Sequence, residues 1–181
     1  MIGVDIASAN SELFAFQCRG QAQTFVAQDT LIAAITIWKP PGDFVDRQKR
    51  YLFVLGTLAG GPNHDDILDG PRELAVATAD TINPIPYRFV FDPPLALPYR
   101  GLFAFVVQAG DANLWAVAAC TEDPYPFGQA CRTGPIVFCA IPGAPDCNMP
   151  STDLCFSIEF CGAGAVNVQH QSWGRLKKLY R

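Results

Sequence analysis

Apolar residues alternate with other residues along nearly the whole chain. Residues 154–161 are the clearest stretch: Leu154, Phe156, Ile158 and Phe160 point one way, and Cys155, Ser157, Glu159 and Cys161 the other. A period of two sends successive side chains to opposite faces of an extended strand, whereas a helix needs a period near 3.6. The same alternation puts Leu31, Ala33, Ile35 and Ile37 on one face, with Trp38 at the exit before the stop Pro40-Pro41-Gly42. Tyr87, Phe89 and Phe91 alternate with Arg88, Val90 and Asp92 until Pro93-Pro94, and Phe103, Phe105 and Val107 repeat the pattern after Gly101.

Tyr51 to Leu58 is apolar on both faces, as a central strand covered from both sides should be. Shorter strands are expected over Leu13–Cys18, Gln23–Ala27, Leu74–Ala77, Leu114–Cys120 and Ile136–Cys139, with a polar loop from Gly60-Gly61-Pro62 to Asp69-Gly70-Pro71. Eight to ten strands with no helix between them predict an all-β fold, a two-sheet antiparallel sandwich of jelly-roll type.

At 181 residues the chain suits one domain, which at this size buries about 70% of its unfolded surface. Residues 1–161 are read as that domain. Residues 162–181 are a flexible connector, starting Gly162-Ala163-Gly164-Ala165, and a C-terminal docking segment. Ser172 is a plausible N-cap for a short helix with Trp173, Leu176 and Tyr180 on one face, ringed by Arg175, Lys177, Lys178 and Arg181. Nine residues do not hold a helix alone in water, so the segment needs a partner to dock on. Those four basic residues leave nine basic and seventeen acidic residues in positions 1–174, a net of −8. An acidic body gives no reason to expect nucleic acid. No apolar run reaches the 18 or so residues of a membrane helix. The N-terminus lacks the basic and apolar regions of a signal peptide, so either Met1 follows a removed signal or the chain is cytosolic.

The cysteines favour an oxidising compartment. Six of the seven lie from residue 120 onward, none forms a Cys-x-x-Cys pair, and His64 and His170 are distant in sequence, which disfavours zinc. Cys139 and Cys147 flank a Pro-Gly-rich stretch, Cys120 and Cys131 bracket a loop holding Pro124, Pro126 and Gly128, and Cys18 is within reach of Cys155 or Cys161. Three bridges are expected, with one thiol left over.

Several segments resemble exported bacterial β-sandwich modules of the jelly-roll, carbohydrate-binding and galactose-binding-like kind. They are Gln23-Thr24-Phe25, Asp29-Thr30-Leu31, Ile35-Thr36-Ile37-Trp38, Gly60-Gly61-Pro62, Phe89-Val90-Phe91-Asp92-Pro93-Pro94, Leu97-Pro98 and Gly101-Leu102-Phe103-Ala104-Phe105. Their order along roughly residues 20–161 carries the resemblance. The ending from Ser172 to Arg181 is similar to a short Trp-Gly basic terminus of other exported bacterial proteins. The resemblance implies secretion and a sandwich, and it transfers no catalytic residue.

No Gly-x-Ser-x-Gly motif is present, and only His64 and His170 are available as imidazole bases, so no enzyme is expected. Asn63, Asp65, Asp66 and Asp69 form the one local oxygen-rich cluster, a weak candidate for structural calcium beside the simpler reading of a solvated loop. No other cofactor is expected. Trp38, Trp115, Tyr125 and Phe127 lie near strand ends or in loops, where a ring can stack on the C–H face of a sugar or simply cap the core. Two functions follow. One is a non-catalytic extracellular structural or surface protein, self-assembling into a filament or array through sheet edges or termini. The other is a module that recognises surface or matrix glycans.

Overall fold

A computed structural model describes residues 1–15, 18–42, 49–75, 80–110, 114–134, 141–149 and 151–161. The fold is an all-β sandwich of antiparallel sheets. Its strands are β1 (Ile2–Val4), β2 (Ser11–Ala15), β3 (Gly20–Val26), β4 (Leu31–Lys39), β5 (Lys49–Leu58), β6 (Gly61–Ala75), β7 (Ile85–Ala96), β8 (Leu102–Ala109), β9 (Trp115–Cys120), β10 (Ala130–Thr133), β11 (Pro145–Met149), β12 (Asp153–Leu154) and β13 (Phe156–Phe160).

The front layer is a six-stranded sheet in the order β11-β10-β3-β8-β5-β6. The back layer contains a four-stranded sheet, β1-β13-β4-β7, and a three-stranded one, β12-β9-β2. β12 and β13 are nearly one strand, parted at Cys155, whose N–H donates to the Ala118 carbonyl at 2.8 Å. The expected continuous strand over 154–161 therefore bends at Cys155 and serves both back sheets. Thirteen strands among the described residues replace the eight to ten expected: the 154–161 strand is divided by its bend, and β1, β10 and β11 are too short for periodicity to register.

Between the layers lies the main core. It gathers the inward residues of nearly every strand, among them Phe25, Ile35, Ile37, Leu52, Val54, Phe103, Phe105, Val107 and Phe156, none more than 1% exposed. Burying each such side chain contributes about 1.5–3 kcal/mol. Seven rings form a chain through it: Tyr99, Phe103, Phe25, Phe105, Phe156, Tyr125 and Phe127, with successive centroids 4.9 to 6.3 Å apart.

The front sheet curls enough to bring its two edges together without joining them. A Cβ placed on Gly61, at the start of β6, would lie 3.1 Å from Cys147 Sγ in β11. Its concave face holds a second, smaller core of Ala22, Phe53, Leu55, Ala104, Val106 and Cys131.

Residues 61–75 form a 15-residue edge strand, not the polar loop expected from sequence. The polar composition was misleading because an edge strand exposes much of its length to water. Likewise β7 continues through Pro93 and Pro94, which a central strand would exclude and an edge tolerates. Both strands blunt their open side: β6 carries Pro62, Pro71 and three register shifts, and β7 carries three prolines. Between them the Arg72 guanidinium lies 4.4 Å from the Phe91 ring centroid, held there by the Asp69 carboxylate through two hydrogen bonds. The expected strand over Ile136–Cys139 lies outside the described residues, as does the whole segment from 162 to 181.

One disulfide joins Cys131 to Cys147, and Cys18 is also disulfide-bonded. This corrects the expected pairs Cys120–Cys131 and Cys139–Cys147. Cys120 belongs to β9 in the back layer, whereas Cys131 faces the small core, and the β10–β11 ladder brings Cys147 to it. Cys120, Cys155 and Cys161 are free thiols, so Cys18 is bridged to neither Cys155 nor Cys161. Burial, helped by the neighbouring Cys120, pushes the Cys155 thiol up to about 12. Cys139 lies outside the described residues.

Candidate functional site

The register of the four-stranded back sheet assembles one row on the face opposite the core, exposed at Gly3 and Arg88 and buried at Thr36. Gly3 pairs with Ser157, Ser157 with Thr36, and Thr36 with Arg88, so these four positions form a row across the sheet. Their neighbours Val4, Phe156, Ile37 and Tyr87 point into the core, so the row itself faces outward. Trp38 stands two positions beyond Thr36 on the same face of β4, and Glu159, paired with Ala34, lies on the opposite side of the row because β13 runs antiparallel to β4.

The polar groups here are preorganised. Arg88 grips Glu159 with two parallel bonds, Nε to Oε1 at 3.0 Å and Nη2 to Oε2 at 2.9 Å. Those bonds hold the Glu159 carboxyl below the usual glutamate range. The pair is partly exposed, and its N–H and carboxylate groups retain lone pairs and donors for a ligand. Beside the row runs a groove of about 450 Å³, lined by Asp5, Trp38, Ser157 and the β1 backbone. Gly3 makes its floor possible: a Cβ there would sit 2.0 Å from the Phe156 carbonyl oxygen, so only glycine lets β1 lie this close. The Trp38 indole packs at the edge of the main core and is only partly buried, so beside hydroxyl and carboxylate groups it can cover the C–H face of a sugar ring while the polar groups read its hydroxyls.

The other three ring candidates are placed differently. Trp115 is 3% exposed and packs under the Arg50 guanidinium, 4.9 Å from its ring centroid. Tyr125 is buried, and its hydroxyl oxygen accepts from the Val26 N–H at 3.1 Å. Both are core, not platform. Phe127 is 67% exposed at the end of the ring chain, and Tyr99 is exposed at the other end. The structure brings none of these onto the Trp38 face.

Asn63, Asp65, Asp66 and Asp69 are strung along β6. Asn63 Oδ1 accepts from the Asp65 N–H at 3.2 Å, and Asp69 is engaged by Arg72. The docking candidates Trp173, Arg175, Leu176, Lys177, Lys178, Tyr180 and Arg181 lie outside the described residues.

Arg88, Glu159, Ser157 and Thr36 were not singled out in the sequence. Alternation put each on the face opposite the core, and only the strand order shows that the four meet.

One buried polar centre is structural. Asp153, fully buried, receives Gln23 Nε2 at 2.7 Å and the Tyr125 N–H at 3.0 Å, while Gln23 Oε1 accepts from the Leu154 N–H at 2.9 Å. Burial pushes the Asp153 carboxyl above its ordinary value. With its oxygens turned inward, it ties the front sheet to the back layer. Among the described residues no helix is long and apolar enough to cross a membrane. The sequence matches no protein-family model, and neither a curated protein nor a solved structure matches it.

Proposed function

We propose that this chain is a non-catalytic extracellular protein that acts by contact, and that it binds a glycan on the Trp38 face of its back sheet. The observation that carries this reading is the groove lined together by Trp38, Ser157 and Asp5, with the Arg88–Glu159 pair further along the same face of the sheet. Sugar recognition asks for that mixture of a flat apolar surface and fixed polar groups. The disulfide between Cys131 and Cys147 supports an oxidising destination. Glycan-array binding followed by calorimetry tests the reading. Trp38→Ala is expected to weaken binding at least tenfold, about 1.4 kcal/mol, while Phe127→Ala leaves it unchanged. Failure to bind any glycan, or indifference to Trp38→Ala, overturns it.

Self-assembly, the first function expected from the sequence, is the second reading, and β2 is the observation in its favour. It is an edge strand without prolines whose Phe14 is 45% exposed, so a neighbour could pair there by strand addition. Filaments or oligomers that disperse on Phe14→Lys support it. A chain that stays monomeric at high concentration rejects it.

A further inference from the structure

We propose that residues 141–149 are a disulfide-latched strap, and that a dithiol reductant opens it without unfolding the sandwich. The strap includes β11, the edge strand of the front sheet, which the curl of the sheet brings against the small core and the β6 edge. Ile141 receives a hydrogen bond on its carbonyl from Gln108 Nε2 at 3.4 Å, the Gly134 N–H donates to the Ala144 carbonyl at 2.8 Å, and Cys147 reaches Gly61 at the far edge. Beneath it Ala22, Phe53, Leu55, Ala104 and Val106 are at most 1% exposed.

What holds the strap is unusual for a strand that covers a core. No residue of β11 is fully buried and Ile141 is 56% exposed; the strap's own burial is limited to Pro142 and Gly143 and to Met149 packed at the edge of the main core. Its ladder to β10 has only three registered pairs, with a shift between them. The apolar surface it shields belongs to β3, β5, β8 and β10. Three of those strands, β3, β5 and β8, also supply large side chains to the main core on their opposite faces. Covalent linkage therefore adds to a strand whose apolar burial is small compared with the rest of the fold. Breaking it frees the strap while the main core keeps the strands in place.

The chemistry is thiol–disulfide exchange. Cys147 is the partly exposed sulfur and Cys131 the buried one. A thiolate of the dithiol attacks Cys147 Sγ, the Sγ–Sγ bond breaks, and Cys131 leaves as a thiolate and takes a proton. The second thiol then closes the reductant to its own disulfide and releases Cys147 as a thiol. Two electrons and two protons pass from the dithiol to the protein. The opened form presents Phe53, Leu55 and the unpaired edge of β10 to solvent.

The experiment is hydrogen exchange on the full chain, comparing wild type with the double variant Cys131→Ser, Cys147→Ser, which leaves the Cys18 bridge intact. Exchange in 130–134 and 145–149 is expected to rise at least tenfold, with binding of a hydrophobic dye, while β4 and β13 stay protected. Brief dithiothreitol treatment of wild type gives the same local pattern. Unchanged exchange in 145–149 overturns the proposal. So does loss of protection throughout, since the main core would then depend on the latch.

Discussion

Gln23 on β3 and Asp153 on β12 meet between the two layers, Nε2 to Oδ1 at 2.7 Å, with neither side chain exposed to water. The amide also returns a bond to the next residue, accepting from the Leu154 N–H. A buried carboxylate is tolerated here because each oxygen has a donor.

Replacing Gln23 by Leu removes the donor to Oδ1 and the acceptor of the Leu154 N–H together. The variant is expected to lose about 3 kcal/mol in urea denaturation at neutral pH. A cost under about 1 kcal/mol would mean that water replaces the amide and that the clasp is not needed.

Stability should also depend on pH through Asp153. Its folded pKa is raised, so between the unfolded value, about 3.9, and the folded one the native state binds more protons than the unfolded chain. Its favourable contribution is complete below about pH 3.9 and is lost as pH rises through the folded pKa. Glu159 runs the other way. Its folded pKa is lowered, so its contribution is present above about pH 4.3 and fades as pH falls through the folded value. The stability of wild type minus that of Asp153→Asn, followed from pH 3 to 7, isolates the first effect and should decline as pH rises. A rising difference contradicts the assignment.

Two tryptophans separate binding from folding. Trp115→Ala opens a cavity under Arg50 and should cost about 3–5 kcal/mol. Trp115→Phe should keep glycan binding intact, because that ring does not reach the surface. Loss of binding in Trp115→Phe, with thermal stability retained, would move the site away from Trp38.

Gly128 lies where the β9–β10 connection crosses β3, and a Cβ there would come within 2.0 Å of the Thr24 carbonyl oxygen. Gly128→Ala should cost about 1–3 kcal/mol by pushing this connection off the strand. Near-ultraviolet dichroism should report the loosening of Tyr125, whose hydroxyl bonds to Val26 from the same connection. An unchanged spectrum and melting curve would refute the contact.

The sandwich itself was readable in the sequence because burial imposes period two on every strand that faces a core. Arg88 and Glu159 could be assigned to an outer face for the same reason, yet nothing in either strand says that β13 lies beside β4. That is a property of strand order. β6 escaped notice because an edge strand buries little and so has little pattern to read. Local bracketing pairs cysteines that are neighbours in sequence, whereas the β10–β11 ladder brings Cys147 to Cys131.

The bend at Cys155 has a mechanical meaning. Residues 153–160 are strand members of both back sheets, with β9 hydrogen-bonded to the first part and β4 to the second. Force or local melting that enters one sheet travels along this shared length of backbone into the other. The back layer should therefore lose its structure as a unit, in a single step, although its hydrogen bonds are divided between two sheets.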